Sequence, residues 1–204
     1  MDVSLLADAA HYLDQWLGYR QRTLRLPGLV AAVGHDATLL LHGAWGQADV
    51  ERGQAMTPGL PFPVASHSKM FTAALVLRVV EQGRLRLDDP LRSWLPLTGP
   101  VGEATVGELL SHSAGVIRDG EDCDFWLLDR PFPSREELLA MAAPVLGRHE
   151  RFKYSNVGFA LLGEVVAAAC GASYAEVARR EVIEQLGLGG THPDFGAGGC
   201  PVGY

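Results

Sequence analysis

The sequence is short of cysteine, of positive charge and of long hydrophobic runs, and each shortage excludes a class of protein. Three cysteines without a C-x-x-C pair exclude a disulfide-built miniprotein and indicate reduced thiols or core residues. Acidic residues outnumber basic ones by 24 to 17, so nucleic acid is not the expected partner. No run approaches the ~18 apolar residues of a membrane span, and no signal peptide is visible at the start. We therefore expect a cytoplasmic protein that does not enter a membrane, or a periplasmic or secreted one if a leader precedes this sequence.

What the chain does contain is enough apolar residues, 48%, to bury a core. The hydrophobic pattern predicts an N-terminal amphipathic helix, two short strands joined by a turn, a loop, and a long helix. These elements are expected over residues 4–20, 28–34 with 38–45, 46–62, and 66–82, respectively. Residues 70–77 are apolar on nearly every side, which is typical of a buried helix.

The rest of the chain reads as mainly helical. Three capping-box spacings, each ahead of an apolar helical pattern, predict helix starts. They are Thr105 with Glu108, Ser134 with Glu137, and Ser173 with Glu176. Gly171 and Gly187 are expected to end the helices near 155–170 and 173–186.

The last 18 residues, 187–204, contain seven glycines and two prolines, an unusual way for a domain to close. Two early strands are also too few for a stable sheet. We therefore expect further strands from another part of a longer protein or from a second chain. The alternative is a flexible native tail.

The first chemical signal is a lysine in a chain that has only two, Lys69 and Lys153. Ser66 stands three residues before Lys69, and on a helix residues three apart share one face. A serine needs a base to act as a nucleophile at neutral pH, and an amine removed from water can take its proton. Without that chemistry, the pair is a capping serine and a lysine that extends to solvent.

The second signal lies 88 residues later, where Tyr154 is followed by Ser155 and Asn156 at the start of a capped helix. A tyrosine beside an ammonium group can pass protons, and an asparagine offers both a donor and an acceptor. The alternative reading is a core tyrosine followed by an N-cap residue. A third segment, Leu109–Val116, indicates by itself only a helix end that runs into a glycine turn.

Other signals are absent or have a simpler explanation. The histidines lack metal-ligand spacing and there is no P-loop or dinucleotide-binding glycine motif, so we expect no metal and no cofactor. The absence of a G-x-S-x-G motif disfavours an α/β-hydrolase. The acidic run 119–124 is interpreted as a solvated loop that can border a site.

Together, these segments resemble the penicillin-recognising serine hydrolase superfamily, in particular the branch of class C β-lactamases, D-Ala-D-Ala carboxypeptidases and related esterases. Its S-x-x-K motif stands as Ser66 to Lys69 and its Y-x-N motif as Tyr154 to Asn156; segment 109–116 is similar to its Leu-Leu-x-His-x-Ser-Gly turn, with Ala114 where serine is common. The resemblance extends over roughly residues 28–195. It implies an α+β, β-lactamase-like fold with an antiparallel sheet, helices and a helical subdomain.

The resemblance also implies the roles of the site residues. Ser66 would be the acylated nucleophile, Lys69 its activator, Tyr154 the proton shuttle, and Asn156 the residue that orients substrate and Lys69. Whether Lys69 or Tyr154 is the formal base stays open. The backbone N–H of Ser66 would supply half of the oxyanion hole.

The family's third motif, K-T-G or H-x-G on a strand, does not occur after Tyr154 in this sequence. We therefore expect the C-terminal strands to be missing, with N-terminal helix and strands over 1–65, a helical part over 66–186 and a glycine-rich segment over 187–204. Loss of one oxyanion donor typically slows an enzyme ~10²–10³-fold, so we expect weak turnover from this chain alone.

The resulting hypothesis is a serine hydrolase that works through an acyl-enzyme on an ester, an amide or a β-lactam, including D-amino-acid peptides. A complementary segment or second chain would be its macromolecular partner. The alternatives are a sensor that binds a β-lactam or peptide without turnover, and an inactive relic of the same fold.

Overall fold

The computed structural model describes residues 3–120, 131–149, 151–193 and 200–202. The chain divides into two compact units, one formed by residues up to Pro63 and from Gly190 onward, the other by Val64–Gly189. The first unit contains helix α1 (Val3–Thr23) and strands β1 (Gly28–His35), β2 (Thr38–Asp49) and β3 (Gln54–Ala55). The second contains a 3₁₀ turn (Ala65–His67), α2 (Ser68–Glu81), a 3₁₀ turn (Leu91–Ser93), α3 (Gly99–Glu103), α4 (Val106–Leu110), α5 (Arg135–Met141), α6 (Asn156–Cys170), α7 (Tyr174–Ala178) and a π-turn (Arg179–Ile183).

The first unit is a helix on a small antiparallel sheet of strand order β1-β2-β3. The N-terminal helix and the hairpin predicted from the sequence are confirmed. The predicted loop over 46–62 is partly wrong, because β2 continues to Asp49 and returns as β3, with Gln47 paired to Ala55. Gly46 has a φ of +82° and lies beside the backbone at Pro27, so a glycine that looked like a loop residue instead permits close approach within the sheet.

The core of the second unit is built from α2 and α6 together with the segments between them. Its fully buried side chains are leucines and valines, among them Leu75, Val76, Val79, Leu161, Leu162, Val165 and Val166. The prediction that α2 is buried on every side is wrong. Met70 and Leu77, seven residues apart on one face, are 63% and 51% exposed.

The helix starts follow the sequence closely. All three predicted capping boxes form, at Thr105, Ser134 and Ser173. Gly171 ends α6 with a φ of +64°, as expected of a left-handed C-cap. The helix expected over 173–186 is shorter, because the α-helical hydrogen bonding ends at Ala178 and passes into the π-turn before Gly187.

Two further features concern the described residues only. Cys170 and Cys200 are free thiols, whereas Cys123 lies outside the described residues. No single described helix is long and apolar enough to cross a membrane; α6 and the α7 segment pass that test only as a pair bent by 81°.

Candidate active site

The serine of the first motif lies in a 3₁₀ turn directly ahead of α2. Ser66 lies in this turn and Lys69 is the second residue of α2, so the two residues are three positions apart in continuous helical backbone and share one face. The backbone just before the serine is strained, since Ala65 has a φ of +44°. Ser66 is exposed and Lys69 is half-buried, which leaves the hydroxyl open to a ligand while the ammonium contacts protein.

The second motif reaches this serine from the start of α6. The hydroxyls of Ser66 and Tyr154 lie 2.7 Å apart, within hydrogen-bonding distance in either direction. Lys69 Nζ donates to Asn156 Oδ1 at 2.6 Å and lies 4.8 Å from the centre of the Tyr154 ring. The structure therefore brings all four predicted site residues together in one cluster.

The electrostatics of the cluster act on Tyr154. Partial burial works to raise the pKa of its phenol, but hydrogen bonds with Lys69 and Ser66 and the positive charges of Lys69 and Arg118 outweigh it. The pKa of Tyr154 consequently lies below the ordinary value for tyrosine. A phenolate is the form that can accept a proton from a serine hydroxyl.

His112 is a neighbour of the site that the sequence analysis treated only as part of a turn. Its ring packs on Tyr154, with centroids 4.7 Å apart, and on Phe152 and Phe159. Its Nδ1 lies 3.2 Å from the backbone N–H of Ser155, which donates to it. Burial and the charge of Lys69 both lower the pKa of His112, so the neutral ring that can accept this hydrogen bond is favoured. The motif His112-x-x-Gly115 was the available signal, but the ring contacts come from residues 40 to 47 positions away in the sequence.

Asp119 is the second neighbour; its acidic run was expected to be able to border the site, but its contact with Asn156 was not predicted. Its carboxylate accepts from Asn156 Nδ2 and lies 2.9 Å from the guanidinium Nε of Arg118. The interpretation of the acidic run as a solvated loop is therefore wrong for Asp119, whose side chain is only 15% exposed. Residues 121–124 of that run lie outside the described residues.

The start of α6 is tied to the segment before Asp119 by the main chain. The backbone N–H groups of Asn156 and Val157 both donate to the carbonyl of Arg118, at 2.9 and 3.1 Å. Ser155, the N-cap, is buried; its hydroxyl donates to the Ile117 carbonyl and accepts from the Gly158 N–H. Tyr154 and Asn156 are thus held on both sides of a buried anchor. Among the residues that the structure describes, no cluster of His, Cys, Asp and Glu has the composition to hold a metal ion.

Comparison with known proteins defines the class. The family model described as Beta-lactamase matches residues 13–199, and the chain belongs to this family. The resemblance found in the motifs and the β-lactamase-like α+β fold are thereby confirmed.

Among curated proteins, the chain is similar to Esterase EstB of Burkholderia gladioli, with 30% identity over 89% of this chain and 51% of EstB. Among solved structures, it is similar to SurE with D-Leu, at 33% identity and a TM-score of 0.75 over 98% of this chain and 46% of that one. It is also similar to the class C β-lactamase of Rhodobacter sphaeroides, at 28% identity and a TM-score of 0.68 over 89% and 49%. The chain spans about half the length of these relatives.

Proposed function

We propose that this chain carries the nucleophile and the proton-transfer groups of a serine hydrolase. The observation that carries the proposal is the 2.7 Å contact between the hydroxyls of Ser66 and Tyr154, beside the ammonium of Lys69. Membership of a family with esterase and β-lactamase relatives supports it.

In the first half of the reaction, Ser66 Oγ attacks the carbonyl carbon of an ester or amide while its proton passes to the Tyr154 phenolate. Lys69 stabilises that phenolate, and Asn156 holds Lys69 through its amide oxygen. The tetrahedral intermediate then expels the alcohol or amine, which takes the proton back from Tyr154. This assignment makes Tyr154 the base and Lys69 its electrostatic support.

In the second half, water attacks the acyl carbon while its proton passes to the Tyr154 phenolate. The bond between the acyl carbon and Ser66 Oγ then breaks, the carboxylic acid leaves, and Tyr154 returns the proton to Ser66 Oγ. The Ser66 backbone N–H lies in the first turn of a helix, where N–H groups have no intrahelical partner, and is the proposed first oxyanion donor. A complementary segment or second chain that carries the third motif is the proposed source of the second donor.

The proposed substrates are esters and amides of small acids, with β-lactams and D-amino-acid peptides within the same class. Similarity to an esterase, to a class C β-lactamase and to SurE, which has a structure with D-Leu, supports this range of substrates. The site residues are the same for each, because all proceed through attack on a carbonyl carbon.

Active-site labelling tests the proposal. The protein is incubated with a fluorophosphonate and, separately, with a penicillin, and its intact mass is measured. We expect one adduct per chain, absent in Ser66→Ala and retained in Ser68→Ala, an exposed serine two residues away that serves as the matched control. Equal labelling of Ser66→Ala and the wild-type protein would refute the assignment of the nucleophile.

The same samples distinguish hydrolysis of the acyl-enzyme from acylation without hydrolysis. A hydrolase releases the penicilloyl group, so the unmodified mass returns with time. A sensor of the same fold acylates but keeps the adduct, and that outcome would refute turnover while retaining Ser66 as nucleophile. An inactive relic gives no Ser66-dependent adduct with either reagent.

A further inference from the structure

The mostly buried carboxylate of Asp119 lies next to the predicted site. It contacts the side-chain nitrogen of Asn156, whereas Lys69 contacts the side-chain oxygen. Asn156 Nδ2 donates to Asp119 Oδ1, and Asn156 Oδ1 accepts from Lys69 Nζ at 2.6 Å. We propose that Asp119 is a positioning residue that fixes the orientation of the Asn156 amide and, through it, the place of Lys69. The catalytic consequence rests on the function proposed above.

The chemistry of the two partners determines which way the amide points. A carboxylate can only accept hydrogen bonds and an ammonium can only donate them. The amide nitrogen must therefore face Asp119 and the amide oxygen must face Lys69. The reverse orientation would set N–H against the ammonium and carbonyl oxygen against the carboxylate, and would lose both hydrogen bonds.

The position of the Asp119 carboxylate is itself fixed, because its two oxygens contact different residues, Arg118 and Asn156. Its second carboxylate oxygen lies 2.9 Å from Arg118 Nε, and its side chain is 15% exposed. The carbonyl of Arg118 accepts from the first two backbone N–H groups of α6, those of Asn156 and Val157. The carboxylate and the amide it orients are consequently anchored to the same helix start.

Without Asp119, Lys69 would bind an amide that can rotate. Asn156 would keep its backbone place, because the Arg118 carbonyl still accepts from it, but among the described contacts only the hydrogen bond from Lys69 would still hold the orientation of the amide. Lys69 lies 4.8 Å from the Tyr154 ring and lowers the pKa of that phenol, so displacing the ammonium raises the pKa and leaves less of the phenolate that acts as the proposed base.

The sequence allows a direct test, because Asn156 is the only asparagine in the chain. In the wild type, Asp119→Ala and Asp88→Ala labelled with ¹⁵N-asparagine, the one side-chain amide in the ¹H–¹⁵N spectrum belongs to Asn156. Asp119→Asn adds a second side-chain amide, which is identified because it alone remains in the Asp119→Asn/Asn156→Ala double variant. The solvent exchange of the Asn156 amide is measured in the wild type and in Asp119→Ala, Asp119→Asn and Asp88→Ala. Asp88 is the matched control, an exposed aspartate paired with the neighbouring Arg86.

We expect Asp119→Ala to raise the exchange rate of the Asn156 side-chain amide at least tenfold. Asp119→Asn keeps an accepting oxygen and is expected to stay within about threefold of the wild type, and Asp88→Ala to leave the rate unchanged. Fast exchange in the wild type, or exchange unaffected by Asp119→Ala, would overturn the inference. If Asp119→Ala does not fold, the wild-type and Asp119→Asn rates still decide it.

The rate of Ser66 labelling by the fluorophosphonate gives the catalytic readout. Asp119→Ala is expected to slow labelling about tenfold, with most of the rate restored in Asp119→Asn. In an Asn156→Ala background, the same Asp119→Ala change should alter the labelling rate less than twofold, because the amide through which Asp119 acts is already absent. An equal loss in both backgrounds would show a general structural role instead and would overturn the inference. A wild-type protein with a protected amide but no Ser66 adduct would refute the proposed function alone.

Discussion

Replacing Ser155 by alanine removes the anchor between Tyr154 and Asn156, the two proposed site residues of the second motif. Its side chain is 3% exposed, and its hydroxyl makes two hydrogen bonds, donating to the Ile117 carbonyl at 2.6 Å and accepting from the Gly158 N–H at 2.7 Å. Loss of an N-cap costs about 1 kcal/mol, and a carbonyl left without its buried donor costs about 1–2 kcal/mol more. We therefore expect Ser155→Ala to lower the free energy of unfolding by about 2–3 kcal/mol.

Ser173→Ala provides the matched comparison. Ser173 also caps a helix through its hydroxyl, but in an exposed capping box with Glu176. Its loss should therefore cost only the cap, about 1 kcal/mol or less. Urea unfolding followed by circular dichroism measures both variants against the wild type. A Ser155→Ala cost no larger than that of Ser173→Ala would refute the reasoning that the Ile117 hydrogen bond anchors the motif.

Three further outcomes follow from the same structure. The pKa of Tyr154 lies below its ordinary value of about 10. In a pH–rate profile, the rate of Ser66 labelling should therefore rise with pH and level off below pH 10, and Tyr154→Phe should abolish this rise. Gly115→Ala should lower the free energy of unfolding, measured in urea, by more than ~3 kcal/mol, because the new Cβ would clash with a backbone carbonyl at a residue whose φ is +70°. Gly171→Ala, at a φ of +64° but with open space around the Cβ, should lower it by about 1–2 kcal/mol. Burial works to raise the pKa of Glu108 but hydrogen bonds from Arg148 and the backbone lower it overall, so its stabilising effect should be complete above about pH 5 and lost as pH falls through the lowered pKa. The difference in unfolding free energy between the wild type and Glu108→Gln should shrink accordingly at low pH.

The parts of the fold that depend on neighbours in sequence could be predicted. Capping boxes at Thr105, Ser134 and Ser173 join a side chain to the backbone three residues away, so the pattern carries all the information needed. The hairpin and the left-handed cap at Gly171 are equally local.

The burial of α2 could not be predicted in the same way. An apolar run states which residues can be buried, not which face finds a partner. Thr72 and Leu75 are buried while Met70 and Leu77 remain exposed, although the run is apolar on nearly every side.

The candidate site also contains residues that could be predicted from local sequence and one that could not. Ser66, Lys69, Tyr154 and Asn156 could be predicted as site residues because their spacing matches two family motifs, and the structure places them close together. Asp119 acts on a side chain 37 positions away, and the acidic run around it is typical of a solvated loop. Only the tertiary contact reveals that one of these carboxylates is buried against Asn156.

The contact between Ser66 and Tyr154 is the centre of the functional proposal, and the rate of Ser66 phosphonylation tests it most directly. The second-order rate constant is measured by intact mass at pH 8 for the wild type, Tyr154→Phe and the control Ser68→Ala. Removal of a general base typically costs 10²–10⁴-fold, so we expect Tyr154→Phe to label at least ~100-fold more slowly and Ser68→Ala to label like the wild type. A Tyr154→Phe rate within threefold of the wild type would contradict the proposal that the phenol of Tyr154 activates Ser66.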